Sequence, residues 1–503
     1  MAIEARIETE GNLFASARTK FEAIVERLKS AETEMLAATE DYIVTEGREL
    51  QRLLLQARLD VLTERERAAL ARNPPPRGLK ARLLPRQVET TLGRVGERRH
   101  ALKREGEASV FPLDAELNVP ADMYSHPLRR RVAEEAVHGS FDHTVAQVES
   151  TTGGHVPKRQ AQQLVVRASQ DVEAFYAARP RPANDTLSDE ALLVMSTDGC
   201  AIKMVPEGLR EPTRRAADKA EQDAEVALRG DPTAKAQVKS HQTRRAVVTA
   251  VWEQEPHERT RDDVIANVMR LPQPESRKRA RDPKPQNKRV AASVEQDQRQ
   301  RTRDMFDEAD RRDPKRQREA IALVDGDEHQ TATILEEGQR RGRPLTLVLD
   351  LLHAMHYLWL AAMAATARER VEAEALVVHW TIMLLTGNPS HVVATIRGTA
   401  TRRGLRGKAR EDVDTAADYL LKRTPFIDYA SFIARGLPIA TGIIEGACRY
   451  LVRDRMDITG ARWGVDVAEA VLKLRAVQAS GDWVDYWNFH LTQEAIRNYA
   501  QAA

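Results

Sequence analysis

The sequence predicts an α/β protein in which a strand-forming core follows a helical N-terminal half and is itself interrupted by helices. Three observations carry this. Apolar residues recur at a 3–4 spacing near the N-terminus and again between residues 124 and 177. Five short apolar runs lie between residues 192 and 350. A helical stretch then runs from Leu351 to about Ala434, too long for one connection in a compact core.

Taken in order, residues 1 to about 72 read as helix, with Leu50, Leu53, Leu54, Ala57 and Val61 forming the apolar stripe. Pro74-Pro75-Pro76 breaks it, and a basic, weakly structured region is expected up to about Lys103. Three helices follow at 128–139, 140–153 and 156–177. Ser140 is the N-cap of the second, Gly139 and Gly153 are stops, and Pro157 lies in the first turn of the third. This fits a helix-turn-helix whose third helix, beginning Lys158-Arg159, reads DNA. Plain helical packing fits as well. A polar linker occupies 178–190.

Strands are then expected at 192–199, 200–205, 246–253, 320–326 and 345–350, the first two as a hairpin around Asp198-Gly199. Three strands, a mostly helical connection, then strand, helix, strand is the order of an RNase H-like core. The stretch 351–434 reads as containing an inserted helical domain. The expected divisions are 1–105 (helical), 106–185 (helix-turn-helix), 186–365 and 436–480 (core), 366–435 (insertion) and 481–503 (C-terminal tail).

Composition narrows the function. Of 503 residues, 42% are hydrophobic and 30% charged, enough for real cores under a solvated surface. Two cysteines, Cys200 and Cys448, exclude a disulfide framework or a cysteine-rich zinc site. No basic start with an apolar run marks a signal peptide, and no apolar run reaches membrane length, so a cytoplasmic protein is expected. Net charge is only +2, but basic residues outnumber acids between Gln273 and Arg318, densest in RKRAR (277–281). Such a stretch follows a phosphate backbone or is simply a solvated surface.

Three acids stand out by context. Asp198 and Asp325 each end an expected core strand and each precede a glycine. In an RNase H-like sheet the first and fourth strands are neighbours, so two carboxylates there can share hard divalent cations for in-line displacement at phosphorus. Asp-Gly is also a common turn dipeptide, which leaves either acid alone open to a plain reading. Glu445 lies among Ile443, Ile444, Ala447 and Cys448, where burial is costly without a partner or a metal. An exposed helix-surface glutamate is the other reading.

The segments YSHPLRRRVAEEAVHGSFDHTVAQVESTTGGHVPKRQ (124–160), MSTDG (195–199), ALVDGDEHQ (322–330), LVLDLLHAMHYLW (347–359) and GLPIATGIIEGACRYLVRDRMDITGARWG (436–464) resemble bacterial insertion-sequence transposases of the ISKra type, in the Mutator-like branch of the DDE superfamily. The resemblance extends over most of the chain from about residue 110. It implies that Asp198, Asp325 and Glu445 are the catalytic, metal-holding acids, separated by 127 and 120 positions. It also implies a Cys/Asp-x-x-His motif after the fifth strand, here Asp350-Leu351-Leu352-His353, close to the site. A structural Asp–His pair remains the alternative for these two. Downstream, Arg462 and Trp463 are candidates to hold a phosphate and stack a base, or to brace the Glu445 helix.

The activity implied is transposition: two Mg²⁺ (or Mn²⁺) ions per site, strand cleavage at terminal inverted repeats, and strand transfer into target DNA. A homo-oligomer associated with the nucleoid would carry it out. Rival readings are a structure-selective nuclease on the same fold, which would cut without joining, and a domesticated non-catalytic DNA-binding protein.

Overall fold

The computed structural model describes residues 13–30, 34–179, 187–230, 242–269, 283–440 and 442–499. The first twelve residues, most of the 178–190 linker and the RKRAR cluster at 277–281 lie outside them. The chain divides into two compact units, Met1–Ala178 with Asp482–Ala503, and Arg179–Gly481.

The first unit opens with two helices, α1 (Ala15–Ser30) and α2 (Leu36–Arg72). The region expected to be weakly structured is a β-hairpin, β1 (Leu79–Thr90) with β2 (Gly93–Arg104). Its buried residues are hard to see in the sequence because Val95 and Glu97 share one parity and His100 has the other, while Arg94 and Arg98 are exposed. The α2 helix lies against β2 and donates polar groups to it. Gln56 makes two 2.7 Å bonds with the Gly96 backbone, and the Thr63 hydroxyl donates to Arg98 O at 2.5 Å.

After the short α3 (Pro112–Glu116) come α4 (His126–Ala136), α5 (Phe141–Thr151), α6 (Lys158–Ser169) and α7 (Val172–Ala178). Ser140 caps α5 as expected, accepting from His143 N at 3.2 Å. The expected single helix 156–177 is broken at Gln170-Asp171, because the Asp171 carboxylate is turned to the terminal helix Trp483–Tyr499. There it meets His490 Nδ1 at 2.7 Å and Arg497 at 2.5 Å. The C-terminal tail is thus a helix of this unit. Buried Arg129 donates to Glu494 at 2.8 Å, a pairing that burial of charge requires.

The second unit is built on a five-stranded mixed sheet: β3 (Leu192–Lys203), β4 (Thr243–Gln254), β5 (Gln286–Ser293), β6 (Ala320–Val324) and β7 (Thr346–Leu349). The spatial order is β5-β4-β3-β6-β7, antiparallel from β5 to β3 and parallel from β3 to β7. Two expectations are corrected here. No hairpin turns at Asp198-Gly199; 192–199 and 200–205 are largely one strand, paired along its length with β4. The remaining strand is β5, hidden in a basic stretch.

The connections are α8 (Glu211–Gly230), α9 (Arg261–Val268), α10 (Gln298–Arg312) and α11 (Glu328–Arg341). Met305, Phe306 and Ala309 of α10 and Ile334 of α11 cover one sheet face with Leu193, Met195, Ala320, Ala322 and Val324. Odd positions of β3 and even positions of β6 therefore face this core. Beyond β7 run α12 (Leu351–Ala365), α13 (Arg370–Leu385), α14 (Pro389–Arg402), α15 (Gly407–Lys422) and α16 (Tyr429–Ala434). The chain then forms α17 (Gly442–Ala447), a π-helical turn (Cys448–Arg453) and α18 (Val465–Ala479), which pack on β3, β4 and β5. Buried Glu469 of α18 ties that packing by accepting from Ser293 Oγ and Val294 N, both at 2.9 Å. Among the described residues no helix is long and apolar enough to cross a membrane.

Candidate active site

The parallel pairing of β3 and β6 decides where the first two acids stand. Leu193 pairs with Ala320 and Ser196 with Leu323, a constant offset of 127 positions, and Asp325 follows Asp198 by the same 127. Continued two residues past the last pair, that register brings Asp198 of β3 beside Asp325, which directly follows β6, close enough for Asp198 to act on the Asp325 carboxyl. Asp198 shares parity with Val194 and Ser196, and Asp325 with Ile321 and Leu323. Both acids thus face away from the α10–α11 core, toward the segment that carries Glu445.

Each acid has a distinct local anchor. Asp198 lies within β3 opposite Val248, and its Oδ1 accepts from Gly199 N at 2.5 Å. Its Oδ2 accepts from Cys448 Sγ at 3.3 Å. Asp325 follows the last residue of β6, and its Oδ1 accepts from Asp327 N at 2.8 Å, closing a turn through Gly326. Asp327 then caps α11 by accepting from Gln330 N at 2.9 Å. Burial and the neighbouring Asp198 raise the Asp325 carboxyl above its ordinary value.

The two glycines serve different ends. Gly326 holds φ at +84°, and a Cβ there would meet Arg423 Nε at 2.4 Å and Tyr419 Oη at 2.6 Å. Gly199 keeps extended strand geometry, but a Cβ would sit 1.7 Å from Arg245 Nε. In the amide orientation that satisfies Gln330, its oxygen accepts from Arg245 at 2.7 Å and its nitrogen donates to Thr197 O at 3.1 Å. The first glycine makes the turn; the second clears space for an arginine.

Residues far along the chain close over the Asp325 turn. Tyr419 of α15 donates to Asp325 O at 2.5 Å, and Arg423 Nε donates to Gly326 O at 2.7 Å. Tyr357 of α12 stacks on Tyr419 with ring centroids 3.6 Å apart, and the Arg423 guanidinium lies 3.9 Å from the Tyr419 ring centre. Sequence reading did not single out Tyr419 or Arg423.

Asp350 is 4% exposed and caps α12, its Oδ1 accepting from Leu352 N at 2.7 Å and His353 N at 3.4 Å. That is a structural role, and it aims His353 along the cleft. His353 Nε2 lies 3.7 Å from Glu445 Oε1. Glu445, then Asp350, Asp325 and the burial around them act on the imidazole, and the net effect raises its pKa above the ordinary 6.5. The cleft encloses about 790 Å³ and is lined by Asp325, His353 and Glu445 together with His329, His356 and Tyr357. Asp198 is not part of that lining; it sits beside it, turned to Cys448.

The fit of divalent cations can be judged on two features. Glu445 Oε2 is buried with no hydrogen-bond partner among the described residues. The Asp325 carboxylate is penalised by burial and by Asp198. Both strains are relieved by a bound cation, and the donors are the hard oxygens that Mg²⁺ prefers. As they stand, however, no three His, Cys, Asp or Glu side chains among the described residues are gathered to hold a metal ion.

Of the other candidates, Lys158 and Arg159 are exposed at the start of α6, with Lys158 paired to Asp142 at 2.8 Å. Arg462 is exposed. Trp463 is 5% exposed, donates from Nε1 to Met456 O at 3.0 Å, and lies under the Arg455 guanidinium at 4.7 Å. With its backbone also bonded to Lys203 and Val205, it braces the Glu445 segment and has no open face for a base. Cys200 and Cys448, 248 positions apart, are brought together beside Asp198; Cys200 Sγ lies 3.8 Å from Cys448 O. No protein-family model matches the chain, and no curated protein matches it.

Proposed function

We propose that the chain is a DDE-type transposase that cuts and joins DNA at the ends of an insertion sequence. The observation that carries this reading is the parallel β3–β6 register, whose constant offset brings Asp198 and the Asp325 turn side by side, with Glu445 lining the same cleft as Asp325. Support comes also from the sheet itself. Renumbered within the core, its order is 3-2-1-4-5 with the first three strands antiparallel, the arrangement of an RNase H-like fold. Helices α13 to α16 lie between the fifth strand and the helix bearing Glu445, which supports reading them as the expected insertion.

In this reading Asp198, Asp325 and Glu445 would hold divalent cations, which supply an activated oxygen nucleophile and neutralise charge at phosphorus. The chain's own groups do the positioning. Asp327 N and Tyr419 fix the Asp325 turn, and the Cys448 thiol steadies Asp198. His353 sits beside Glu445, which makes it cationic more readily than an ordinary histidine. The exposed start of α6 is the candidate DNA reader, and a homo-oligomer would bring two element ends together.

The test uses full-length protein and DNA carrying the inverted repeats that flank its coding region. Strand cleavage should require Mg²⁺ or Mn²⁺, and Asp325→Asn should abolish it while leaving end binding nearly intact. Normal cleavage by that variant would overturn the assignment. Cleavage without strand joining into a plasmid target would instead favour the nuclease reading.

A further inference from the structure

The first unit contains a second cavity, unrelated to the acids above. It encloses about 350 Å³ between α2, the β1–β2 hairpin and the start of α4. That is the lower end of the range for small-molecule sites. Its wall is mainly apolar, with Leu55, Leu59, Val88 and Val95 among the lining residues. Into this wall the sequence sets three polar side chains whose hydrogen-bonding groups are left over.

Glu97 is the central one. It is 2% exposed, and neither carboxylate oxygen has a hydrogen-bond partner among the described residues. The natural counter-charge is Arg86, directly opposite in the hairpin register. Arg86 is committed elsewhere, however: to Asp114 at 3.3 Å and to the carbonyls of Pro120 and Asp122. Arg99 also turns to Asp114, at 2.8 Å. Both ring nitrogens of His126 and Oδ1 of Asn118 are likewise buried without hydrogen-bond partners. A buried carboxylate left in this state costs several kcal/mol, of order 1–3 for an unmet neutral group and more for a charge.

We propose that this cavity is a binding site for a small organic cation, an amine or amidine carried on an apolar body. Its N–H groups would meet Glu97, with Asn118 Oδ1 as a further acceptor and His126 able to accept at one ring nitrogen. The apolar body would fill the space between Leu55, Leu59 and Val95. Anions are disfavoured by Glu97 itself, and uncharged apolar molecules would leave all three polar groups unmet.

The probe pair is benzamidine and its uncharged counterpart benzamide, titrated into the full-length protein by calorimetry. Benzamidine should bind, and benzamide about tenfold more weakly or not at all, since only the cation makes a charge-assisted contact. Glu97→Gln should weaken benzamidine about tenfold while removing the difference between the two probes. The methyl resonances of Val88 and Val95, followed by NMR in the wild-type chain, should move with benzamidine. Those shifts serve as the readout if Glu97→Gln does not fold. No benzamidine binding up to about 10 mM, a dissociation constant worth less than 3 kcal/mol, would overturn the proposal. So would equal affinity for benzamide, or unmoved Val88 and Val95 methyls. None of these outcomes depends on DNA cleavage.

Discussion

Replacing Gly326 by alanine separates two costs that the structure places at one residue. The backbone there has φ +84°, and the missing Cβ would fall 2.4 Å from Arg423 Nε and 2.6 Å from Tyr419 Oη. A left-handed conformation costs a non-glycine residue about 1–2 kcal/mol. The methyl must also displace the two donors that close the turn, at a net cost of about 1 kcal/mol per hydrogen bond. Gly326→Ala should therefore destabilise by about 3–4 kcal/mol. Gly404 provides the first cost alone, with φ +63° and open space around it, so Gly404→Ala should lose about 1 kcal/mol. Gly442 has neither a positive φ nor a neighbour within 4 Å; at the start of α17, Gly442→Ala should be neutral or stabilising by up to about 1 kcal/mol. Urea unfolding of the three variants, compared by midpoint at unchanged slope, gives the differences. If Gly326→Ala and Gly404→Ala lose the same amount, the closure of Tyr419 and Arg423 over the Asp325 turn is wrong.

Other outcomes follow from the same site. Asp325 has a raised pKa in the fold, so its ionised form weakens folding, and that penalty grows as pH rises through the raised value. Without divalent ions Asp325→Asn should thus melt higher than wild type at pH 7, the gap closing toward pH 4; with Mg²⁺ only wild type should gain stability. The His353 pKa, measured by NMR, should lie above 6.5 and fall in Glu445→Gln. Its pairing should add stability below the ordinary histidine value and lose it as pH rises through the raised one. Tyr419→Phe keeps the stack on Tyr357 but strips Asp325 O of its donor, for a loss of about 1–2 kcal/mol. Cys448→Ser should retain metal-dependent cleavage better than Cys448→Ala, because only serine still donates to Asp198; equal rates for the two would remove the thiol from the site.

What the sequence revealed and what it hid have physical reasons. Strands β6 and β7 were legible because they are short and almost wholly apolar and buried, only Thr346 being polar and part-exposed, and each is followed by an acid that caps or turns. The β1–β2 hairpin was not, since its buried positions include Glu97 and His100, of opposite parity, and Arg94 and Arg98 are exposed, which blurs the period-2 pattern. Asp198-Gly199 was misread as a turn because the dipeptide has two uses. Here the glycine makes room for Arg245 and the strand runs straight through. The three acids stood out in the sequence by their context, but their surroundings did not. Tyr419, Arg423 and Cys448 reach Asp325, Gly326 and Asp198 from 94, 97 and 250 positions away, and no local spacing announces such a partner. For Trp463 the sequence left two roles open, a stacking surface or a brace, and its burial fits the brace.

The Tyr419–Arg423 closure has a consequence for how the molecule is made. Asp325 and its turn leave the ribosome well before the groups that hold them, since Arg423 lies 98 residues downstream. At about 5–20 residues per second that interval is roughly 5–20 s, and Glu445 follows only after it. During synthesis the β3–β6 pair can form early with two adjacent carboxylates on one edge, but the turn has neither of its two distant donors. The arrangement therefore sets an order of assembly in which the sheet comes first and the poised acids last. A nascent chain released before Arg423 would carry the sheet's strands without one of the two donors that hold the Asp325 turn in place.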